Sequence, residues 1–80
     1  MVKVVFPDSF LAITGAVREL ESAAPVYRDL VAELCARWPA LAPLLENSAV
    51  AIDGQIYQDA FLEPLPDGAE VFFMARIEGG

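Results

Sequence analysis

The 80-residue sequence has no histidine and one cysteine, Cys35. One cysteine cannot form an intramolecular disulfide or a Cys-Cys redox pair, and without histidine there is neither a Cys/His zinc site nor a Cys–His catalytic dyad. A four-cysteine iron–sulfur cluster is excluded for the same reason. Because Cys35 lies within an apolar helical run, we expect it to be a small core residue.

Basic residues and long apolar runs are also scarce. The chain has 5 lysines and arginines against 12 acids, for a net charge of −7. The arginines are scattered, so no phosphate-binding surface is predicted and we expect no nucleic-acid partner. The acidity either favours basic protein partners or only maintains solubility. No apolar run reaches the roughly 18 residues of a membrane helix and no signal peptide opens the chain, so we expect no membrane association and a cytoplasmic location.

The proportion of hydrophobic residues is high for so short a chain. Eighty residues predict a single domain with a modest core. Hydrophobic residues nonetheless make up 56% of the sequence. We therefore expect some apolar surface to remain exposed and to contact a partner.

The apolar pattern of the first half predicts a strand and then one main helix. Residues 2–6 alternate as a strand, and residues 7–9 end it. The segment 10–21 is harder to interpret: Gly15 suggests a turn before a strand around 16–20, and a helix over 9–13 is left open. Pro25 suits the first helical position, and Pro39 ends the helix. An apolar stripe recurs along it at helical spacing, formed by Tyr27, Leu30, Val31, Leu34 and Trp38.

The second half is predicted to be mostly strands. Residues 40–47 form a loop or short helical turn, and strands at 50–52 and 55–58 flank an Asp53-Gly54 hairpin turn. An irregular segment over 61–66 and a turn at 67–68 lead to a final strand over 71–77. Its two faces carry Val71, Phe73 and Ala75 on one side and Phe72, Met74 and Arg76 on the other.

The final strand is apolar on both faces near its middle. One helix can cover only one face of a sheet, so the other face is expected to stay open. A central strand that is buried by the helix on one side and by a partner protein on the other would explain this pattern.

The sequence ends in Gly79-Gly80. Two residues without side chains allow a terminal carboxylate to enter a narrow enzyme channel. At an average glycine usage of roughly 7%, such a pair arises by chance in about 0.5% of chains. A frayed end or an expression scar is the alternative, but the final apolar strand leads almost directly into the glycines.

Several segments together carry a resemblance to a known family. They are the N-terminal Val-Lys-Val-Val-Phe strand, the helix ending Ala-Arg-Trp-Pro, the segments 50–54 and 65–71, and the strand that runs into Gly79-Gly80. The chain resembles the ubiquitin-like β-grasp sulfur carriers, which include the small subunit of molybdopterin synthase (MoaD) and the thiamine-pathway carrier (ThiS). The resemblance implies an α+β fold in which a mixed sheet of four to five strands packs one main helix on one face. It implies a single domain over 1–80 with a flexible Gly-Gly tail over about 76–80.

The length and the extended helix are more similar to the molybdopterin synthase subunit than to the thiamine carrier. Two departures leave the pathway open. Ala69 stands where the family's turn usually has Asp, and residues 74–78 replace a tail that commonly contains proline.

The resemblance also implies a reaction at the terminus. A ubiquitin-activating-type enzyme would use ATP to adenylate the Gly80 carboxylate. A sulfur donor would then displace AMP and leave a thiocarboxylate. A larger synthase subunit would transfer this sulfur to its acceptor, and molybdopterin biosynthesis is the pathway expected first. The chain would be a carrier that binds no cofactor and is not itself an enzyme, and it would form a hetero-oligomer with the synthase subunit.

The same terminus permits other functions. The chain could serve thiamine or another sulfur-containing metabolite, or be a ubiquitin-like modifier joined to lysine through Gly80. A plain interaction module without terminal chemistry is a further alternative. An enzyme is the weakest alternative, because the acids Asp53, Asp59, Glu63 and Asp67 belong to no recognisable motif and suit turns.

The predicted site therefore has two parts. Gly80 carries the reaction, and Gly79 gives it access to an active site. The residues expected to contact partners are Phe72, Met74, Arg76, Ile77 and Glu78. For Phe72 and Met74, which would form an apolar docking patch, the alternative is an internal core role. For Arg76 and Glu78 the alternative is that they are ordinary solvated residues.

Overall fold

The computed structural model describes residues 1–75, which form a five-stranded mixed sheet with helices. The strands are β1 (Val2–Val5), β2 (Glu19–Ser22), β3 (Ser48–Ile52), β4 (Gln55–Tyr57) and β5 (Glu70–Ala75). Their order across the sheet is β2-β1-β5-β3-β4, so the last strand in sequence is the central one. β1 and β5 are parallel, and the other neighbours are antiparallel.

The longest helix among the described residues is α2 (Tyr27–Arg37). Two shorter helices, α1 (Leu11–Thr14) and α3 (Ala42–Glu46), each follow a 3-10 turn, at Asp8–Phe10 and Pro39–Leu41. The expected α+β fold, with a four- to five-stranded mixed sheet and one main helix, is confirmed. Within residues 1–75, no helix is long and apolar enough to cross a membrane.

The core lies between α2 and the sheet. Leu30 and Leu34 are one helical turn apart and are 0% and 1% exposed, so the predicted stripe does face the sheet. Aromatic rings fill one part of this core. The Phe73 ring centroid lies 5.7 Å from that of Phe10 and 6.1 Å from that of Phe6. The aromatic cluster thus ties the central strand to the segment that follows β1.

The start of α2 differs from the prediction that Pro25 occupies the first helical position. The helix begins at Tyr27, because Val26 is extended, with φ −137° and ψ 149°. The backbone N–H groups of Tyr27 and Arg28 donate to the carbonyls of Glu63 and Phe61, both at 2.9 Å. Backbone groups distant in sequence therefore satisfy the open N–H groups of the first turn, and local sequence does not reveal them.

The segment between β1 and β2 also differs from its prediction. Residues 8–14 are helical, in agreement with the helix left open over 9–13, but β2 begins at Glu19 rather than near residue 16. Gly15 and Ala16 both have φ of +71°. Two successive left-handed residues reverse the chain and delay the strand, and such a conformation is rare for alanine.

The turn between β3 and β4 was predicted correctly, but β3 begins at Ser48 rather than at residue 50 and β4 ends at Tyr57 rather than at residue 58. Asp53 and Gly54 have φ of +50° and +83°, which is the type I′ pattern that suits the twist of a two-residue hairpin. The predicted short helical turn within 40–47 is α3. β5 begins one residue earlier than expected, at Glu70. Residues 76 and 77 of the predicted strand lie outside the described residues.

Candidate functional site

Part of the predicted site lies outside the described residues. It comprises Gly80, which is predicted to carry the reaction, Gly79, and the expected partner contacts Arg76, Ile77 and Glu78. The structure describes the strand that leads to them. β5 is hydrogen-bonded to β1 on one side and to β3 on the other, and its last residue, Ala75, is in register with Ser48. The chain therefore enters residue 76 from the central strand of the sheet.

The sheet face opposite α2 carries a continuous apolar surface, which we call the docking face. Residues opposite each other in a ladder share a face. Phe72 is in register with Val5 of β1 and Ala51 of β3, and Ala51 is in register with Ile56 of β4. Met74 is in register with Ala49. The docking face is formed by Val5, Ala49, Ala51, Ile56, Phe72 and Met74.

Exposure separates the large residues of the docking face from the small ones. Phe72 and Ile56 are 40% and 51% exposed. Ala49 and Ala51 are 1% and 7% exposed although they point away from α2, so the larger neighbouring side chains must cover them. Larger apolar side chains therefore surround the two alanines, and the centre of the docking face is apolar.

The structure places Phe72 and Met74 together, as the sequence predicted. Phe72 is exposed and Met74 is half-buried, whereas Phe73 between them is only 4% exposed. Alternation along β5 thus separates a core side from an open side. Ala75 was expected on the core side, but it is exposed because it ends the described strand beyond the packed core.

Four residues of the docking face were missed from the sequence, namely Val5, Ala49, Ala51 and Ile56. Ile56 could have been found, because a two-residue turn at 53–54 places residue 56 opposite residue 51. The alternation of residues 2–6 puts Val5 on the same side of its strand as Lys3, but only the sheet order places that side next to Phe72.

The β2 end of the docking face is acidic. Lys3 is in register with Glu21 on one side and Glu70 on the other, and Val5 is in register with Glu19. The Lys3 ammonium lies 3.5 Å from a Glu19 carboxylate oxygen, in an exposed pair of the kind that adds little stability. Three carboxylates against one ammonium leave this part of the face with a net negative charge, which suits a partner with basic residues at the matching position.

The shifted pKa values belong to residues outside the docking face. Burial, with a smaller effect of the nearby Cys35, raises the pKa of Tyr27 to about 12. Desolvation and the neighbouring Glu63 carboxylate raise the pKa of Tyr57. A hydrogen bond from the N-terminal ammonium lowers the pKa of Asp67. Among residues 1–75, no group of three or more His, Cys, Asp or Glu side chains is placed to hold a metal ion.

Cys35 was expected to be a core residue. It is half-buried, packs against the core and also lines a groove beside α2. It is therefore a core residue only in part, with one side open to the groove.

Two solved structures match this geometry over almost the whole chain. A chain from the BexX/CysO complex of Amycolatopsis orientalis superposes with a TM-score of 0.83 at 15% identity, covering 100% of both chains. CysO from Mycobacterium tuberculosis gives a TM-score of 0.82 at 12% identity, covering 96% of this chain and 100% of that one.

A third match is a protein described as molybdopterin converting factor subunit 1 from Pyrococcus furiosus. It has a TM-score of 0.70 at 26% identity and covers 95% of this chain and 97% of that one. The chain has the ubiquitin-like β-grasp fold. The resemblance to MoaD- and ThiS-like sulfur carriers is confirmed. No protein-family model matches the sequence, and no curated protein matches it.

Proposed function

We propose that this protein is a sulfur carrier. An adenylating enzyme activates its Gly80 carboxylate with ATP, and a sulfur donor converts the acyl adenylate to a thiocarboxylate. The observation that supports this most strongly is the match of nearly the whole chain to CysO and to a molybdopterin converting factor subunit, combined with the Gly79-Gly80 pair. Because the activation of Gly80 consumes ATP, we propose that the protein acts in the cytoplasm.

The chemistry explains why a carrier needs partners. A carboxylate is a poor electrophile, and adenylation gives it a good leaving group. The sulfur donor attacks the acyl carbon, the bond to AMP breaks, and the resulting thiocarboxylate sulfur is nucleophilic. The chain supplies the acyl group, and the activating enzyme and the synthase subunit supply the catalytic groups. The protein therefore acts as a co-substrate or small subunit and binds no cofactor of its own in this proposal.

The sheet supports this role by fixing where the tail begins. Five residues follow Ala75, and fully extended they reach at most about 17 Å. A partner that binds the docking face can therefore hold its own active site within a short, defined distance of Gly80. Phe72, Met74 and Ile56 would provide the apolar contacts, and the acidic β2 end would orient the partner by charge. Residues 76–78 would line the path into that active site.

The first choice of pathway is molybdopterin biosynthesis, in which the partner is a larger synthase subunit. The 26% identity with the molybdopterin converting factor subunit supports it. The higher TM-scores with the two CysO-related chains favour a second candidate, a carrier for a sulfur-containing metabolite other than molybdopterin. A thiamine carrier stays an alternative from the sequence. A ubiquitin-like modifier would use the same activated Gly80.

Intact mass spectrometry tests the proposal. The protein is incubated with ATP, sulfide and a candidate adenylating enzyme from the same cell. We expect a mass gain that corresponds to replacement of one oxygen by sulfur, and no gain after deletion of Gly80. Deletion leaves β5 intact, so thermal unfolding should be unchanged and serves as the control.

Two outcomes would contradict the carrier proposal. One is sulfur transfer that persists without Gly80. The other is formation of covalent adducts with other proteins in cell extracts in place of a free thiocarboxylate, which would establish a modifier.

A further inference from the structure

A groove of about 340 Å³ lies on the helix side of the sheet, opposite the docking face. It is bordered by α2, by α3 and by the segment 57–61, and Val50 of β3 also contributes to it. Its volume is at the lower end of the range for ligand sites, about 300–1,000 Å³. The proposed chemistry at Gly80 makes no use of this groove.

A large apolar side chain stands exposed at the border of the groove. Phe61, which lines it, is 53% exposed, and the adjacent Leu62 is 69% exposed. The Phe61 backbone is fixed, because its carbonyl accepts from the Arg28 N–H at 2.9 Å and its N–H donates to Asp59 Oδ1 at 3.2 Å. Apolar groups held in solvent by a fixed backbone lose little backbone freedom when a partner covers them.

The charges of the groove have one sign. Its carboxylates are Glu46, at the end of α3, and Asp59, in the segment 57–61. No lysine or arginine among residues 1–75 lines the groove, and the ion pairs found in that part of the chain include neither acid. An apolar groove flanked by two exposed carboxylates is complementary to apolar groups flanked by cations.

We propose that this groove binds a segment of a partner protein in which apolar side chains are flanked by lysine or arginine. The apolar side chains contact the groove and cover Phe61, and the flanking cations lie against Glu46 and Asp59. Because the groove and the docking face lie on opposite sides of the sheet, the protein can hold this partner while the docking face is occupied. The inference does not depend on the reaction at Gly80.

The test uses the full-length protein labelled with ¹⁵N and two capped synthetic peptides. Each peptide has a central Leu-Phe pair between glycines, and they differ only in having arginine or glutamate on both sides of the pair. We expect the arginine peptide to shift the amide resonances of Val31, Cys35 and Ala60 and to bind roughly tenfold more tightly than the glutamate peptide, the size expected when two exposed ion pairs are replaced by like-charge contacts.

Two matched double variants separate local charge from net charge. Glu46→Gln with Asp59→Asn should abolish the preference for arginine, and Asn at position 59 can still accept the Phe61 N–H. Glu19→Gln with Glu21→Gln changes the net charge equally on the opposite face and should preserve the preference. Thermal unfolding confirms that both variants are folded.

Several results would overturn the proposal. They are no shift at the groove, equal binding of the two peptides, a preference that survives Glu46→Gln with Asp59→Asn, or shifts centred on the docking face. Occupation of the groove by the chain's own residues 76–80 would also overturn it, and groove resonances that move when these residues are deleted would reveal that case.

Discussion

Phe72 and Phe73 are adjacent and chemically identical, yet the structure gives them opposite roles. Phe73 is 4% exposed and its ring contacts those of Phe6, Phe10 and Tyr27. Phe72 is 40% exposed on the docking face. We predict that Phe73→Ala mainly destabilises the fold, whereas Phe72→Ala mainly weakens partner binding. Each variant serves as the control for the other.

The expected free energies follow from burial. A domain of this size has a free energy of unfolding of about 4–12 kcal/mol. Phe73→Ala removes a fully buried ring and should cost about 3–5 kcal/mol, a large share of that stability. Full burial of a phenylalanine contributes about 1.5–3 kcal/mol, so truncation of the partly covered Phe72 should cost about 1–2 kcal/mol. In binding, Phe72 at the centre of an interface should contribute about 2 kcal/mol, or a loss of about thirtyfold in affinity.

Urea unfolding measures the stabilities, and titration against the adenylating enzyme measures the affinities. If Phe72→Ala destabilised the protein as much as Phe73→Ala, the assignment of Phe72 to the exposed side of β5 would be wrong, and Phe72 would be a core residue. If Phe72→Ala were folded and bound the adenylating enzyme with unchanged affinity, the docking face would not be the surface that this partner uses.

Two further predictions concern groups inside the fold. Ser22 is 2% exposed, and its hydroxyl donates to a Glu33 carboxylate oxygen at 2.7 Å and accepts from the Ala24 N–H at 3.0 Å, which links β2 to α2. Ser22→Ala should therefore lower the free energy of unfolding, measured in urea, by about 1–3 kcal/mol. An unchanged stability would contradict the role of this link. Burial raises the pKa of Tyr27 from 10.0 to about 12, so the folded state binds the phenolic proton more tightly than the unfolded state. The stability that this difference adds should be complete below pH 10 and lost between pH 10 and 12. Tyr27→Phe should therefore lose less stability than the unmodified protein between pH 9 and pH 11, and identical pH profiles would contradict this linkage.

Local patterns were sufficient where the cause of the structure is itself local. The alternation of β5, the apolar stripe of α2 and the Asp53-Gly54 turn are each encoded within a few residues. The start of α2 could not be predicted, because its first N–H groups are satisfied by carbonyls of residues 61 and 63. The start of β2 depends on a left-handed Ala16, which side-chain preference argues against.

The candidate site likewise has parts that local sequence predicts and parts that depend on residues distant in sequence. The exposure of Phe72 was expected from two apolar faces on one strand. The full docking face was not, because Val5 joins it only through parallel pairing with a strand that lies more than sixty residues later in sequence. The groove was missed because it requires three segments that are separate in sequence, and only Cys35 and Asp59 among its lining residues had been considered for their chemistry.

The arrangement has a consequence for the choice of pathway. Gly79 and Gly80 have no side chains, so they cannot distinguish one activating or acceptor enzyme from another except by fitting into it. Discrimination between partners must then come from differences in contact elsewhere. The acidic β2 end and the large apolar residues of the docking face differ in chemistry and occupy different parts of one surface, so they can impose both orientation and selectivity. For a sulfur carrier, the pathway that receives the sulfur is then encoded in the residues that contact the partner, the docking face among them, and not in the two glycines.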